Sequence, residues 1–522
     1  MSPEPKAPRA RRTRAPARQR VAATGIPFPR HVSPVTAPVG VVHLTAECWP
    51  FARTGGLGEA VPGLATYQAA TGMPTTIVLP LYRQVRQTAP RLERAGPPFT
   101  VTIDGRSETG WLYREAGSAA GADQPRVYFI EHPAFFDRAG IYGSNGTGDY
   151  PDNAQRFAFF CLAALTVLPQ IAPEARVLHA HDWHTALAPV YLRLAFRDRP
   201  EYERLATVLA VHNAGFQGHF PAGTVPSLGL PPELFTPVHF EWYGRLNVLK
   251  SGLTFADVAV TVSPTHAREL RTPEGGFGLH DLFGRLSDRF VGILNGIDLR
   301  AWDPRTDSHL PATYSADDLG GKRRCKAALQ ESYGLPSRAD APLVVMSARL
   351  VSQKGLDLVL GADLLGSTDA QFIFLGSGET RYHAALTELA AAPDRVAVEF
   401  AFTDHREHRL LAGADLLLMP SLYEPCGLTQ MRAQRYGTIP IARRVGGLVD
   451  SVDDGDTGFL FDAYHPAALR AALRRGLERY RDGAGWEAMM RRALSRPCGW
   501  QPSADAYLAL YHRALAGRPV SA

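Results

Sequence analysis

Leu416-Leu417-Leu418-Met419-Pro420-Ser421-Leu422-Tyr423-Glu424-Pro425-Cys426-Gly427-Leu428-Thr429-Gln430 reads as an apolar strand that runs into a broken loop and then opens a helix. Four apolar residues without alternation suit a strand buried on both faces, as in a parallel sheet covered by helices. Pro420 and Pro425 end the ladder, and Gly427 frees the backbone where the helix, read as Leu428–Tyr436, begins. The first N–H groups of a helix have no intrahelical acceptor and carry partial positive charge. Glu424 stands just before them, where its carboxylate can accept hydrogen bonds from two adjacent sugar hydroxyls. Cys426 reads as a packing residue, because no base is identifiable and a reactive thiol needs a depressed pKa.

The same alternation of short apolar runs and longer helical patterns extends in both directions, which is the signature of βαβ units. Upstream, the runs are 41–44, 75–79, 127–130, 176–178, 207–211, 258–262 and 290–294. A second series comprises 343–346, 372–375, 396–400, 416–419, 439–442 and 459–461, with helices near 355–365, 380–391 and 405–414. A chain of 522 residues exceeds one hydrophobic core. The reading is therefore α/β, two doubly wound domains facing a central cleft, followed by a helical C-terminal segment. The expected divisions are a basic tail at 1–38, a first domain at 39–300, a connection at 301–341, a second domain at 342–495 and a closing helix at 496–522 that returns toward the first domain.

Charge narrows the function. Residues 1–20 hold seven cations against Glu4, a net of +6, so the rest of the chain stands at −1 out of a total of +5. A near-neutral body argues against nucleic acid as a partner. The Arg- and Pro-rich tail reads as disordered by composition, with an organelle transit peptide as the alternative. The longest apolar run, 157–169, is shorter than the ~20 residues a membrane span needs and reads as a buried helix. Five scattered cysteines give neither metal spacing nor a disulfide framework, which fits a reducing cytoplasm.

Four further motifs fall where strands meet loops, the place where open α/β sheets bind ligands. In Arg53-Thr54-Gly55-Gly56-Leu57-Gly58-Glu59 the glycines allow close backbone approach to a phosphate and Arg53 adds a charge; the plainer reading is a tight turn with a solvated Arg. In His179-Ala180-His181-Asp182-Trp183-His184 the lack of a supporting carboxylate cluster argues against a metal. Asp182 suits sugar hydroxyls, and His179 suits the core. His212, after the run 207–211, is open to a cleft role or a structural one. Arg349 and Lys354, five residues apart on a loop entering a helix, form a fork and a point charge suited to a diphosphate. Asp453-Asp454-Gly455-Asp456 reads as a solvated turn.

Taken in order, these motifs resemble bacterial glycogen synthases and plant starch synthases, from about Val41 to Tyr511. The likeness also includes Tyr150-Pro151-Asp152-Asn153, the segments 213–220, 249–267 and 292–307, and Arg443-Arg444-Val445-Gly446-Gly447-Leu448-Val449-Asp450. The resemblance implies a GT-B fold of two Rossmann-like domains, no metal and no cofactor. It implies transfer of glucose with retention from a nucleotide-glucose donor, ADP-glucose in the first instance, to the non-reducing end of an α-1,4-glucan. Arg349 and Lys354 would hold the diphosphate. Glu424 would contact the donor glucose, Asp182, His212 and Asn295 would line the sugar site, and Arg53, Gly55, Gly56, Gly427, Leu428 and Thr429 would face the phosphates. One departure stands out: the family has Lys where this chain has Arg53, and Asp is more usual where it has Glu59. Two alternatives are a retaining GT-B transferase for a small acceptor and a glucan-binding protein with weakened catalysis. Sequence leaves the oligomeric state open.

Overall fold

A computed structural model describes residues 39–517 except Pro90, 118–122 and 145–147. The expected tail at 1–38 and the final residues 518–522 lie outside the described residues. Ten strands build the first sheet: β1 (Gly40–Leu44), β2 (Thr75–Pro80), β3 (Leu92–Arg94), β4 (Phe99–Ile103), β5 (Arg106–Glu115), β6 (Arg126–Glu131), β7 (Ala175–His181), β8 (Ala206–Val211), β9 (Val258–Thr261) and β10 (Phe290–Gly292). Their spatial order is β10-β9-β8-β7-β1-β2-β6-β5-β3, with β4 also paired to β5. Strands β10 to β6 run parallel, and β3 to β5 add an antiparallel flap. That flap carries no reading in the sequence, because polar and charged residues of β5 break the apolar pattern.

The second sheet holds β11 (Leu343–Ser347), β12 (Gln371–Leu375), β13 (Val396–Glu399), β14 (Leu416–Met419), β15 (Ile439–Arg443) and β16 (Phe459–Phe461). All are parallel, in the order β13-β12-β11-β14-β15-β16. The strand order reverses between β1 and β7 in the first sheet and between β11 and β14 in the second. At such switch points the loops leaving the two strands diverge and open a crevice. The loops after β1, β7, β11 and β14 carry chemical motifs, and the neighbouring loop after β8 carries His212.

Helix α1 (Leu57–Ala70) follows β1, and α2 (Asn153–Ile171) fills the core of the first domain. Helix α2 is long and apolar enough to cross a membrane, but 78% of its apolar window is buried within the fold. Arg156 on it is fully buried, bonded to Phe135 O at 2.7 Å and Ile141 O at 3.0 Å. The helix read at 355–365 breaks at Asp363, whose left-handed backbone and side chain cap a separate short turn at Leu364–Ser367. Helix α3 (Pro264–Glu269) of the first domain meets α5 (Gly446–Ser451) of the second, while α4 (Thr429–Arg435) follows the loop after β14. The chain ends in α6 (Gln501–Ala516), which lies on the first sheet, where Tyr507, Leu510 and Tyr511 pack with Val177, Val208 and Val260. A Cβ on Gly63 would stand 2.5 Å from the Trp500 indole, so the α1–α6 contact requires glycine there.

Candidate active site

The loops after β1, β7, β8, β11 and β14 enclose a cleft of about 910 Å³. Every residue that the sequence reading assigned to the site lines it: Arg53, Gly55, Gly56, Asp182, His212, Asn295, Arg349, Lys354, Glu424, Gly427, Leu428 and Thr429.

On the second-domain side, Lys354 Nζ donates to Glu424 Oε2 at 2.6 Å, and Ser421 Oγ donates to the same oxygen at 2.9 Å. Glu424 is 5% exposed, so its partners hold one carboxylate oxygen and orient the other. Arg349 is exposed on the cleft wall and has no ion pair among the described residues, which leaves its fork free for an anion. Two glycines make this packing possible. Gly355 sits at φ 75°, and a Cβ there would stand 2.0 Å from Pro420 O; Gly446 sits at φ 44°, and a Cβ there would stand 1.9 Å from Glu424 O. Both positions combine a left-handed backbone with contact against the loop that carries Glu424.

On the first-domain side, Asp182 closes β7 with φ 57°, a strained conformation for a non-glycine residue. Its Oδ1 accepts from the backbone N–H of His212 at 2.6 Å and of Asn213 at 3.3 Å. One oxygen is thus committed to positioning the loop after β8, a role the sequence does not show. Burial pushes Asp182 up to about 7, with Glu47 adding to the effect and the two N–H donors opposing it. Desolvation likewise lowers His212 to about 3, so it is a neutral imidazole.

The glycine-rich loop departs most from expectation. The N–H groups of Thr54 and Gly55 already donate to Glu47 Oε2, at 2.7 and 3.0 Å, and Thr54 Oγ1 and Tyr142 OH hold the other oxygen at 2.7 and 2.6 Å. Gly55 N–H is therefore occupied by a protein carboxylate and does not face the cleft as a free phosphate donor. Arg53 is not solvated either. It donates to Glu59 and, across the cleft, to Asp404 of the second domain, each at 2.7 Å, and stacks on Trp49 at 4.2 Å. Glu59 in turn pairs with Arg432, which also meets Glu407 at 3.1 Å. Burial raises Glu407 to about 7, with the Ser347 hydroxyl opposing the shift, and lowers Arg432 to about 9, with the nearby Arg53 charge adding to it. Glu47, Asp404, Glu407 and Arg432 carry no motif in the sequence. Glu47 alone leaves a trace, as an acid at the end of an apolar strand.

Cys426 is buried and its thiol is pushed up to about 12, which suits packing and not nucleophilic attack. His43, His179 and His181 lie close enough together to hold a metal ion by distance alone, yet no carboxylate joins them, His43 and His181 are already hydrogen-bonded to each other and to Gln68 and His212, and His179 Nδ1 is bonded to Tyr511 OH.

Residues 40–285 match the starch synthase catalytic domain family, and residues 331–488 match the glycosyl transferases group 1 family. A glycogen synthase of Anaeromyxobacter sp. (strain Fw109-5) is 45% identical over 487 residues, covering 91% of this chain and 99% of that protein. Glycogen synthase 2 of Geobacter sulfurreducens is 40% identical, covering 91% of this chain and 98% of the other. The catalytic domain of starch synthase IV from Arabidopsis thaliana, solved bound to ADP and acarbose, superposes with a TM-score of 0.84 at 34% identity, over 92% of this chain and 100% of that one.

Proposed function

The chain belongs to the glycogen and starch synthase family of GT-B glycosyltransferases, and from that premise we propose that it lengthens an α-1,4-glucan by transferring glucose from ADP-glucose, with retention, to the non-reducing end. The observation that carries this reading is the pairing of Lys354 with Glu424 beside the unpaired Arg349, in a cleft otherwise lined by Asp182, His212 and Asn295. Two cations suit a diphosphate; a carboxylate, a neutral imidazole and an amide suit sugar hydroxyls.

The proposed chemistry follows from the charges. The bond from glucose C1 to the diphosphate oxygen breaks, and its electron pair leaves with the phosphate. Arg349, Lys354 and the N–H groups at Gly427 to Thr429 stabilise that negative charge, an electrostatic contribution set before the reaction begins. The acceptor's 4-hydroxyl forms the new bond from the same face and gives its proton to the departing phosphate. No metal or cofactor enters the proposal, so a chelator such as EDTA is expected to leave turnover unchanged; loss of activity that Mg²⁺ or Mn²⁺ restores would refute that part.

The enzyme is tested by incubation with glycogen and ADP-glucose, UDP-glucose or GDP-glucose in turn. Labelled glucose should enter the glucan with ADP-glucose as the best donor, whereas a released disaccharide or no incorporation would overturn the reading. The scattered free cysteines favour a cytoplasmic setting.

Two finer expectations arise here. Since Asp182 titrates near 7, kcat/KM for the donor should rise with pH through that value as the carboxylate ionises. Asp182→Asn should be slower and lack that limb; an unchanged limb would assign it to another group. Arg53→Lys can keep only one of the two ion pairs to Glu59 and Asp404. Its donor KM should change several-fold with the glucan KM unchanged, and equal donor KM values would show that Arg53 acts away from the phosphates.

A further inference from the structure

Three histidines connect the core of the first domain to the cleft. Gln68 Oε1 meets His43 Nε2 at 2.8 Å, His43 Nδ1 meets His181 Nε2 at 3.0 Å, and His181 Nδ1 meets His212 Nε2 at 2.9 Å. Gln68, His43 and His181 are at most 1% exposed, so no water competes for these atoms. Of the ring nitrogens of His43, His181 and His212, only His212 Nδ1 has no partner among the described residues, and its ring lines the cleft.

Such a chain has a direction. A neutral imidazole carries one N–H and one lone pair, so fixing the proton at one end fixes it at every link. Burial keeps all three rings neutral: His43 falls to about 4, His212 to about 3 and His181 well below its ordinary value. Gln68 Nε2 donates to Tyr511 OH at 3.0 Å, which turns the amide oxygen toward His43. His43 must then carry its proton on Nε2 and accept on Nδ1. His181 follows with Nε2–H, and so does His212. The last ring is left with a bare Nδ1 toward the cleft.

We propose that Gln68, His43 and His181 are positioning residues that lock His212 in its Nε2–H tautomer, so that Nδ1 accepts a hydrogen bond from a sugar hydroxyl. The proposal rests on reading this cleft as a sugar-nucleotide site. Its physical content is that a group on α1 decides, three links away, whether the cleft meets an acceptor or a donor. His179 stands beside the chain and outside it, tied to Tyr511 OH at 2.9 Å. The adjacent Asp182 acts on the backbone N–H of His212 and not on the ring.

The test uses the full chain labelled with ¹⁵N-histidine, with His212→Ala to assign the ring. Wild type should show a protonated Nε2 and a bare Nδ1 on His212 at neutral pH. Gln68→Met, which keeps volume and removes the amide, should show both tautomers. A wild-type His212 protonated on Nδ1 overturns the proposal whatever the activity, while the sugar-transfer reading is judged separately by glucan elongation in the wild type.

Kinetics give a second, independent arm. Gln68→Met and His43→Phe should each lower kcat/KM for ADP-glucose about fivefold, equivalent to ~1 kcal/mol. On a His212→Ala background neither should lower it further, because the effect travels through the missing ring. An additional loss on that background would mean that these residues support the fold alone, and would overturn the relay. If His43→Phe does not fold, Gln68→Met at the far end carries the same comparison.

Discussion

Lys354→Ala and Glu424→Ala each lower the rate of glucose transfer by about 10²–10³-fold, the usual effect of removing one preorganised contact to developing charge. The two side chains share a hydrogen bond of 2.6 Å, and Ser421 holds the same carboxylate oxygen. Removing Lys354 deprives a carboxylate at 5% exposure of its counter-charge and deprives the leaving phosphate of a cation. Removing Glu424 leaves Lys354 beside the cleft with Ser421 as its neighbour. Lys354 keeps 19% of its side chain exposed, so water can solvate it and the fold survives. The expected signature is therefore a large fall in kcat with an unfolding transition close to that of wild type. Because the residues act as a unit, the double variant should be little worse than either single one. Incorporation of labelled glucose at the wild-type rate by both single variants would remove this pair from the reaction.

Gly446→Ala produces the second large effect, on structure and activity together. The added methyl would stand 1.9 Å from Glu424 O, and the backbone at φ 44° disfavours any L side chain. Neither the clash nor the strain can be relieved by rotating a side chain, since the obstacle is a carbonyl. The neighbourhood is also fixed from the first domain: Gly446 N–H donates to Glu269 Oε1 at 2.8 Å, and Thr265 holds Asp450 at 2.7 and 2.8 Å. Gly447 N–H adds a bond to Glu424 O at 3.0 Å. A cost of about 3 kcal/mol is expected, which lowers Tm by on the order of 10 °C for a domain of this size. Activity should fall further than the folded fraction does, because the displaced loop carries Glu424. Wild-type Tm and kcat in this variant would show that the 444–447 segment moves aside freely.

The strand run 416–419 illustrates what a sequence can carry: four consecutive buried apolar residues predict a parallel strand, and the structure places β14 on those residues. The same holds for the runs that became β1, β2, β6 to β13, β15 and β16, because apolar continuity and length are properties of neighbours along the chain. The flap β3 to β5 was illegible for the complementary reason. Its strands are half-exposed, and their pairing is set by the partner strand and not by local composition.

The site divides in the same way. That Arg349, Lys354, Glu424, Asp182 and His212 share one cleft was legible because each lies in a segment that follows an apolar run, and strand ends at a switch point face the crevice. What Arg53 does was not legible. Its partner Asp404 is 351 residues away, and only closure of the two domains brings them within 2.7 Å. Glu47 occupying the amides of Thr54 and Gly55, and the line of imidazoles from Gln68 to His212, likewise depend on side chains from separate strands meeting in three dimensions. Sequence by itself determined the two-sheet architecture, the order of the motifs and the residue types available for a diphosphate and a sugar. Tertiary structure alone decided which of those groups are free and which are already paired, because hydrogen bonds and ion pairs are set by distance in space, which chain-local patterns do not encode.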